Sequence, residues 1–430
     1  MNNPNFDSQE VLDYRHQLEL TNSFYNGFDA STDYIIPFFN EDKDSFATRL
    51  KLARLTNYVR DAVETVKNMV LRKPTKYDEL IDSALSPFLE TIDMKNNIDT
   101  FSKEVLTNLV KDGYTYILIE KESYEDVVSG ADEINKRPYF INVKRSAVRN
   151  FKINDDGSFK QFTYDENYTI EDGYKEKLLV QQRCYLADGT VEIWRDGALY
   201  STMQNGLGFI PIIKLGNDDI SRFYDLAVIN RNHLNLKSEQ RNYARIASAP
   251  IPITYLLNSE DTVKTIGVSN GINFDSTKSE SGFEWVELGG SNNSILESLI
   301  AKDESDMQKY LVSLVSNDIQ RTAKEVSLLN ANNEATLNHF ATILEDGLNK
   351  AFYIMALYQG INNFEAKLYI NKDFIDNKLD ATELNSYKEM YVNNIIDWDT
   401  YINILITGEV LEPMSDIDIA KMKTNLVNPL

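Results

Sequence analysis

The sequence predicts an α+β chain, and three observations carry that reading. Apolar residues recur at helical spacing over 44–72 and 98–111. Short strand patterns, punctuated by Asp-Gly turns, then fill 114–215. From 221 onward long helical patterns return, interrupted by one small β segment.

Residues 1–43 are rich in Asn, Asp and aromatics and show only weak periodicity, so no element is predicted there. Asp44 or Ser45 can cap the first helix. Phe46, Leu50, Ala53, Val59, Val63, Val66 and Val70 supply its apolar stripe, and Pro74 stops it. In the second helix Phe101, Val105, Leu106 and Leu109 share a face, and Asp112-Gly113 ends it. Strands are predicted over 114–120, 139–143, 151–153, 159–164, 177–185, 191–194, 200–203 and 210–215. Asp155-Asp156-Gly157 and Asp188-Gly189 are their hairpin turns. A helix over 221–247 is broken by Ala249-Pro250-Ile251-Pro252. Short strands at 253–257 and 283–288 flank a polar, turn-like middle. Ser294-Ile295-Leu296-Glu297 reads as a capping box opening a helix to 317. The pattern weakens at Ser316-Asn317-Asp318, resumes at Thr322 and runs to Tyr358, with Gly360 as its left-handed stop. A strand at 366–370 and helices at 385–396 and 400–406 follow.

Composition bounds the function. The chain has 430 residues, enough for roughly two to four structural units at about 100–200 residues each. Its 42% hydrophobic and 11% aromatic content supports a substantial core. A net charge of −22 argues against a protein that grips nucleic acid through phosphate contacts, and fits a large assembly kept in solution. One cysteine, Cys184, excludes an internal disulfide framework or a thiolate metal cluster. No apolar run has the ~18 residues of a membrane span, and 1–15 is polar, so a soluble intracellular protein is expected.

Catalytic signatures are absent. There is no phosphate-binding Gly-x-x-x-x-Gly-Lys-Ser/Thr loop, no His-Glu-x-x-His and no Cys-x-x-Cys. His16, His233 and His339 each stand alone in their segments and read as structural or surface residues, so no metal and no cofactor is expected. Gly267-Val268-Ser269-Asn270-Gly271 has the spacing of a hydrolase nucleophile elbow. That motif needs a helix after the serine to expose it beside backbone donors, and 272–280 is polar and turn-like. A surface loop is the simpler reading, with a serine hydrolase using Ser269 as the alternative. Asp218-Asp219, and Asp416 with Asp418, suit helix starts rather than paired-carboxylate chemistry.

The larger arrangement says more. Two helices, over 221–247 and 294–317, bracket a β module of 249–293 and form a stalk with a head. Alone, the stalk exposes Leu226, Ile229, Leu234, Ile295, Leu299 and Leu311. Side-by-side packing of stalks in a ring would cover them; a helical hairpin in a monomer also fits the pattern. The first helix carries Arg222, Arg231, Lys237, Arg241 and Arg245; the second carries Glu297, Asp303, Glu304 and Asp306. These opposite signs can complement one another, or both faces can simply be solvated.

Several stretches, in order, resemble phage portal proteins, especially a family from short-tailed phages. They are Tyr34-Ile35-Ile36-Pro37 before a helix with Arg49 and Ala53 that ends at Arg72-Lys73-Pro74; Asp112-Gly113-Tyr114 leading to Ile119-Glu120; and Arg137-Pro138-Tyr139. Gly208-Phe209-Ile210-Pro211 then precedes Tyr224-Asp225-Leu226-Ala227 and Asn230-Arg231-Asn232-His233. Ala249-Pro250 follows, and Arg321-Thr322-Ala323 opens a helix holding Asn338 and Leu344-Glu345-Asp346-Gly347-Leu348. The resemblance covers about 30–360, and its specificity lies in the order of the matches.

The resemblance implies a portal-type fold with an α/β wing, a two-helix stem, a small β-containing clip and a short helical crown. In this chain these would be an N-terminal segment (1–29), wing (30–220), stem helix (221–248), clip (249–293), stem helix (294–316), tunnel loop (317–322), long wing helix (323–365) and crown (366–430). It implies a homododecameric, non-enzymatic ring at one capsid vertex. Double-stranded DNA would pass through it during packaging and ejection, and it would dock the terminase large subunit, head–tail adaptor and tail proteins, major capsid protein and scaffolding protein. Assembly would take place in the host bacterial cytoplasm and residence would be in the virion, with no membrane partner. The DNA-facing loop would be Ser316, Asn317, Asp318, Ile319, Gln320, Arg321 and Thr322. Phe274, Phe283 and Trp285 would be docking contacts of the clip, although Trp285 fits that module's small core better. A head–tail structural protein that never contacts DNA is a further alternative.

Overall fold

Side-chain caps fix where the helices over 43–52, 58–70 and 98–112 start. The computed structural model describes residues 4–121, 137–248, 251–256, 272–275, 282–286, 291–315, 323–372, 374, 379, 381–393, 395–408 and 410–411. Three helices, α1 (Gln9–Asp13), α2 (Arg15–Asn26) and α3 (Phe28–Ser31), occupy the stretch whose weak periodicity predicted none. Only Leu20, Thr21 and Phe24 of α2 are buried, a stripe too sparse to register as a pattern. The single helix expected over 44–72 is two, α4 (Lys43–Leu52) and α5 (Tyr58–Val70). The backbone N–H groups of Asp44 and Ser45 donate to Asp42, which is the cap in place of Asp44 or Ser45. Ala53 turns extended, and Asn57 recaps the chain by accepting from the Arg60 N–H at 2.9 Å. Val59, Val63, Val66 and Val70 are then fully buried on α5. After β1 (Lys76–Tyr77) comes α6 (Glu79–Leu89), whose internal Pro87 hid it from periodicity. α7 (Ile98–Asp112) is capped by Asn97 and closed by Gly113 at φ 83°.

The β-rich region forms two antiparallel sheets. β2 (Thr115–Lys121), β3 (Pro138–Val143), β4 (Val148–Ile153), β5 (Phe159–Asp172), β6 (Lys175–Leu186), β7 (Thr190–Arg195), β8 (Ala198–Gln204) and β9 (Ile212–Leu215) follow the predicted series closely. Strands β3-β2-β9 make one sheet; β4 to β8 make a five-stranded meander. β5 and β6 run further than expected, pairing from Gln161–Leu186 out to Asp172–Lys175 around Gly173. Their distal halves are polar enough to mask the alternation. Tyr116 and Leu118 of β2 pack with Phe162, Tyr164, Tyr185 and Val191 of the meander in one apolar cluster. At its edge Glu120 joins the sheets, accepting from Arg183 Nη1 at 2.5 Å, from the Tyr139 hydroxyl at 3.0 Å and from the Tyr185 hydroxyl.

Helices return with α8 (Tyr224–Ala247). The β module β10 (Ile251–Leu256), β11 (Ile272–Asp275) and β12 (Gly282–Val286) follows, then α9 (Ser291–Val315) and α10 (Ala323–Tyr358). β11 stands where a turn-like stretch was expected. It pairs in parallel with central β10, while β12 pairs antiparallel on the other side. Pro252 precedes the first β10–β11 pair, Ile253–Ile272. The capping box is overturned: α9 begins at Ser291, so Ser294 lies inside the helix, and Glu297 accepts instead from Asn293 Nδ2 at 2.7 Å. Asp218 and Asp219 are not the cap of α8 either. Ser221 Oγ takes the Phe223 N–H at 3.1 Å, and the Asp218 carbonyl lies over Gly113. α10 packs on β9 and β2, where Gly347 lets it approach Leu215; a Cβ at 347 would come within 2.6 Å of that side chain. Gly360 ends the segment at φ 75°. β13 (Leu368–Tyr369) closes on β1.

All these elements belong to one unit, Met1–Lys372; Asp373–Leu430 forms a second. In the second, α11 (Ala381–Val392) and α12 (Trp398–Thr407) pair through Tyr391 stacked on Tyr401 at 4.9 Å, and Asp397 caps α12. Asp416 and Asp418 lie outside the described residues.

Gly113 is the tightest backbone constraint: its φ is +83°, and a Cβ there would meet the Asp218 carbonyl oxygen at 2.2 Å. Gly113→Ala should cost at least about 1–2 kcal/mol from the left-handed backbone alone. The expected result is a lower urea midpoint with an unchanged m-value.

Candidate functional site

The helix pair α8–α9 is built from the inside. His233 and Lys237 on α8 both reach Glu304 of α9, at 3.1 and 3.2 Å. Asp225, at the start of α8, lies within electrostatic reach of Tyr310, late in α9, so the two helices run antiparallel. The 24 and 25 residues of these helices span about 36–38 Å, and the chain between them supplies the module β10–β12. Leu226 and Leu234 are fully buried, together with Ile300 and Met307. Leu226 and Leu234 are thus covered within the chain, against the expectation that a lone stalk exposes them, because α8 also packs on α2, α4 and α5. Ile229 is half-buried, and Ile295 and Leu299 are exposed, at 60% and 44%. The Leu311 side chain lies outside the described residues.

The flank of α8 is clamped by a buried arginine. Arg49 of α4 has no exposed surface. It donates to Glu41 Oε1 at 3.0 Å and Oε2 at 2.8 Å, to Ser238 Oγ on α8 at 2.9 Å, and to the Ile36 carbonyl at 2.7 Å. Its guanidinium lies 4.2 Å over the Phe38 ring. The hydrogen bond from Arg49 holds the Glu41 carboxyl below the usual carboxylate range. Asn235 of α8 adds two bonds to the same segment, accepting from the Ile36 N–H at 2.9 Å and donating to the Tyr34 carbonyl at 3.0 Å. Asn230 donates to the Thr56 carbonyl at 2.9 Å.

His233 is a buried imidazole inside the helix pair. Its edge meets Tyr58 of α5 at 6.1 Å. Burial pushes its pKa down, and the Glu304 contact opposes this without reversing it. The neutral ring can donate Nε2–H to Glu304; its buried Nδ1 has no hydrogen-bond partner, so protonation would bury an unsatisfied N–H. Burial raises the pKa of Glu304, but the bonds from His233 and Lys237 outweigh it, and its carboxyl sits low. Burial raises that of the neighbouring Asp303.

The predicted site residues divide. Ser316, Asn317, Asp318, Ile319, Gln320, Arg321 and Thr322 lie outside the described residues, between the end of α9 at Val315 and the start of α10 at Ala323. Phe274 is at a β11 position paired with Tyr255; Phe283 and Trp285 are at β12 positions paired with Thr254 and Pro252. The surroundings of their side chains, and Ser269 with its loop, lie outside the described residues. Sequence reasoning singled out none of Arg49, Asn235 or Ser238 as partners. The available signal was a lone arginine following Phe46 at helical spacing, which the portal resemblance had already marked. Among the described residues no His/Cys/Asp/Glu group could hold a metal ion, and no helix is long and apolar enough to cross a membrane.

A family model described as a domain of unknown function, DUF4055, matches residues 222–359, the stretch from the start of α8 to the end of α10. No curated protein matches the chain. Among solved structures, similar chains occur in the virion of a native gene transfer agent particle (TM-score 0.43, 10% identity) and in the neck of an empty particle computed with C6 symmetry (0.44, 10%). Another occurs in the neck of the native particle computed with C12 symmetry (0.42, 9%). Each match covers 86% of this chain and 95% of the other.

Removing Arg49 strands Glu41 in a closed site. Arg49→Met should destabilise the protein by about 3 kcal/mol, the scale for breaking a buried pair, whereas removing the exposed Lys309, which pairs only locally with Asp306, should cost under about 0.5 kcal/mol. Paired chemical denaturation curves check the difference. A second outcome concerns pH. Because the folded pKa of His233 is depressed, the unfolded chain takes up its proton first, so this histidine's contribution is complete above pH ~6.5 and is lost as pH falls below it. His233→Gln should flatten the fall in melting temperature between about pH 7.5 and 5.5.

Proposed function

We propose that this chain is a subunit of a phage portal ring, a non-enzymatic channel through which double-stranded DNA enters and leaves the capsid. The observation that carries the reading is the antiparallel pair α8–α9. It is joined through a three-stranded module and continued by the 36-residue α10. In the ordered sequence resemblance these are stem, clip and long wing helix. One family model spans the same block, so the block recurs as a unit in other chains whose function is unknown.

The surface left on a single copy supports assembly. Ile295 and Leu299 stand one helical turn apart on α9 with large exposed fractions, and Ile36 and Phe39 are exposed at 66% and 95% beside the Arg49 clamp. Apolar groups left open on a built scaffold mark contact surfaces. When the two contacting patches differ, repeated contact between copies closes into a ring. A homododecamer at one capsid vertex is the reading the resemblance favours.

The remaining roles follow from position in the chain. Residues 316–322 join the two long helices, so they would ring the channel, and the polar side chains of Asn317, Asp318, Gln320 and Arg321 suit a sliding contact. The net charge of −22 would resist tight capture of DNA. The module β10–β12 would dock the terminase large subunit during packaging, then the head–tail adaptor and tail proteins. The body around the two sheets would meet the major capsid and scaffolding proteins. ATP hydrolysis would belong to the separate motor. The protein would assemble in the bacterial cytoplasm and remain in the virion.

Negative-stain images of the purified chain should show annular particles. Ile295→Glu with Leu299→Glu should reduce them to monomers while shifting stability by less than about 1 kcal/mol, since both side chains are exposed. A wild-type protein that stays monomeric at high concentration would sink the ring. Replacing 316–322 by a Gly-Ser segment should leave rings intact and abolish DNA packaging. Normal packaging would instead favour a head–tail structural protein that never touches DNA.

A further inference from the structure

An open cavity of about 250 Å³ lies between α2, the C-terminal end of α7 and the 3-10 turn Arg145–Ala147. Its wall carries four cationic side chains, Arg15, Lys111, Lys144 and Arg145, against a single carboxylate, Glu19. In a chain of net charge −22 this is a local reversal of sign. It is also a built feature. Lys111 and Arg145 are only 5% and 6% exposed, so two cations have been taken out of water beside an open cavity.

The partners of these cations show what is spent and what is left. Arg15 is paired with Asp7 at 2.7 Å. Lys111 lies 3.3 Å from buried Asp112 and donates to Asn22. Arg145 donates one bond to the Asp112 carbonyl at 2.7 Å and lies 3.9 Å over the Tyr114 ring. Among the described residues no carboxylate pairs directly with Arg145 or with Lys144, which stands exposed at the mouth. Burial pulls Lys111 below the ordinary lysine range, and repulsion from Lys144 adds to it despite Asp112. An anion in the cavity would relieve both.

The geometry points to a binding site for a phosphate group, carried by free phosphate or by a phosphomonoester. The guanidinium of Arg145 supplies donors in a fixed plane, and Lys144 and Lys111 supply point charges from other sides. Such a set fits a compact dianion with several acceptor oxygens better than a single carboxylate. The overall negative field of the protein works against long-range steering of anions, so recognition is local and shows itself as specificity for phosphate over chloride. The site is independent of the portal reading: none of its lining residues belongs to the α8–α9 pair, and it serves whichever assembly the chain enters.

The test uses the full chain, titrated with inorganic phosphate and separately with glycerol phosphate. Both are read by isothermal calorimetry and by melting temperature at constant ionic strength set with chloride. Wild type should bind both and gain melting temperature. Lys144→Gln should bind about tenfold more weakly, the loss of one charge-assisted contact, and Lys144→Glu should not bind. Lys160→Gln, exposed on β5, should behave as wild type. Lys144 is exposed, so both of its variants should keep the wild-type urea midpoint in the absence of phosphate. An equal response from Lys144→Glu and wild type, or the same gain from chloride alone, would overturn the site. So would binding of a DNA duplex without any response to the free anions.

Discussion

The buried guanidinium of Arg49 is the constraint on which the stalk's base depends. A charge with no exposed surface must be matched inside the protein, since leaving it unpaired costs several kcal/mol. Arg49 is matched by groups from two separate places: Glu41, the Ile36 carbonyl and the ring of Phe38 in the segment before α4, and Ser238 on α8. None of these can shift without stranding the charge. Asn235, one turn from Ser238, uses both ends of its amide on the same 34–36 segment. The register of α8 against the N-terminal helices is therefore set by polar geometry, which is directional, rather than by apolar contact, which is not.

A second layer of constraint follows from the first. Once α8 is fixed, His233 and Lys237 fix Glu304 and so the register of α9. The module β10–β12 joins the two fixed helices through short connections. The β body repeats the device: Glu120 draws Arg183, Tyr139 and Tyr185 together across the two sheets, over an apolar cluster that would by itself permit sliding. In both places hydrophobic burial supplies most of the driving force and a carboxylate–arginine pair, buried at Arg49 and part-buried at Arg183, selects one arrangement. Glycine performs the complementary task where elements must come close, with Gly347 admitting Leu215 under α10 and Gly113 admitting the Asp218 carbonyl.

Much of this was legible in the sequence, and the misses share physical causes. Strands came through because Asp-Gly turns and alternation are local signals; β2 to β9 all fall within predicted stretches or extend them. The helices α8 and α10 came through because long periodic runs have little competition. α2 was missed because only a narrow strip of it is buried, and α6 because Pro87 sits inside it. The break between α4 and α5 depends on Asn57, whose amide is held by the Phe24 carbonyl as it caps α5, and β11 depends on pairing with β10, which are tertiary facts. The capping box failed because Ser294 and Glu297 have the right spacing, but the chain upstream is already helical. Of the site, the opposite charges of the two stalk helices were readable and meet at Glu304; the Arg49 clamp was not, because its partners lie 8 to 189 residues away.

The charge distribution ties stability to the proposed role. Several of the strongest cationic groups are consumed inside the fold: Arg49 by Glu41, Arg183 by Glu120, and Lys111 by Asp112. Each internal pair is nearly neutral, so it leaves the excess of carboxylates to the surface. A ring of such chains would carry a large net negative charge, and its repulsion of DNA would be screened over about 8–10 Å at physiological salt. Repulsion of that range centres a polyanion in a channel without holding it, which is what free passage in both directions requires. Arg49 and Arg183, which could otherwise meet phosphates, are committed to holding the fold's own elements in register.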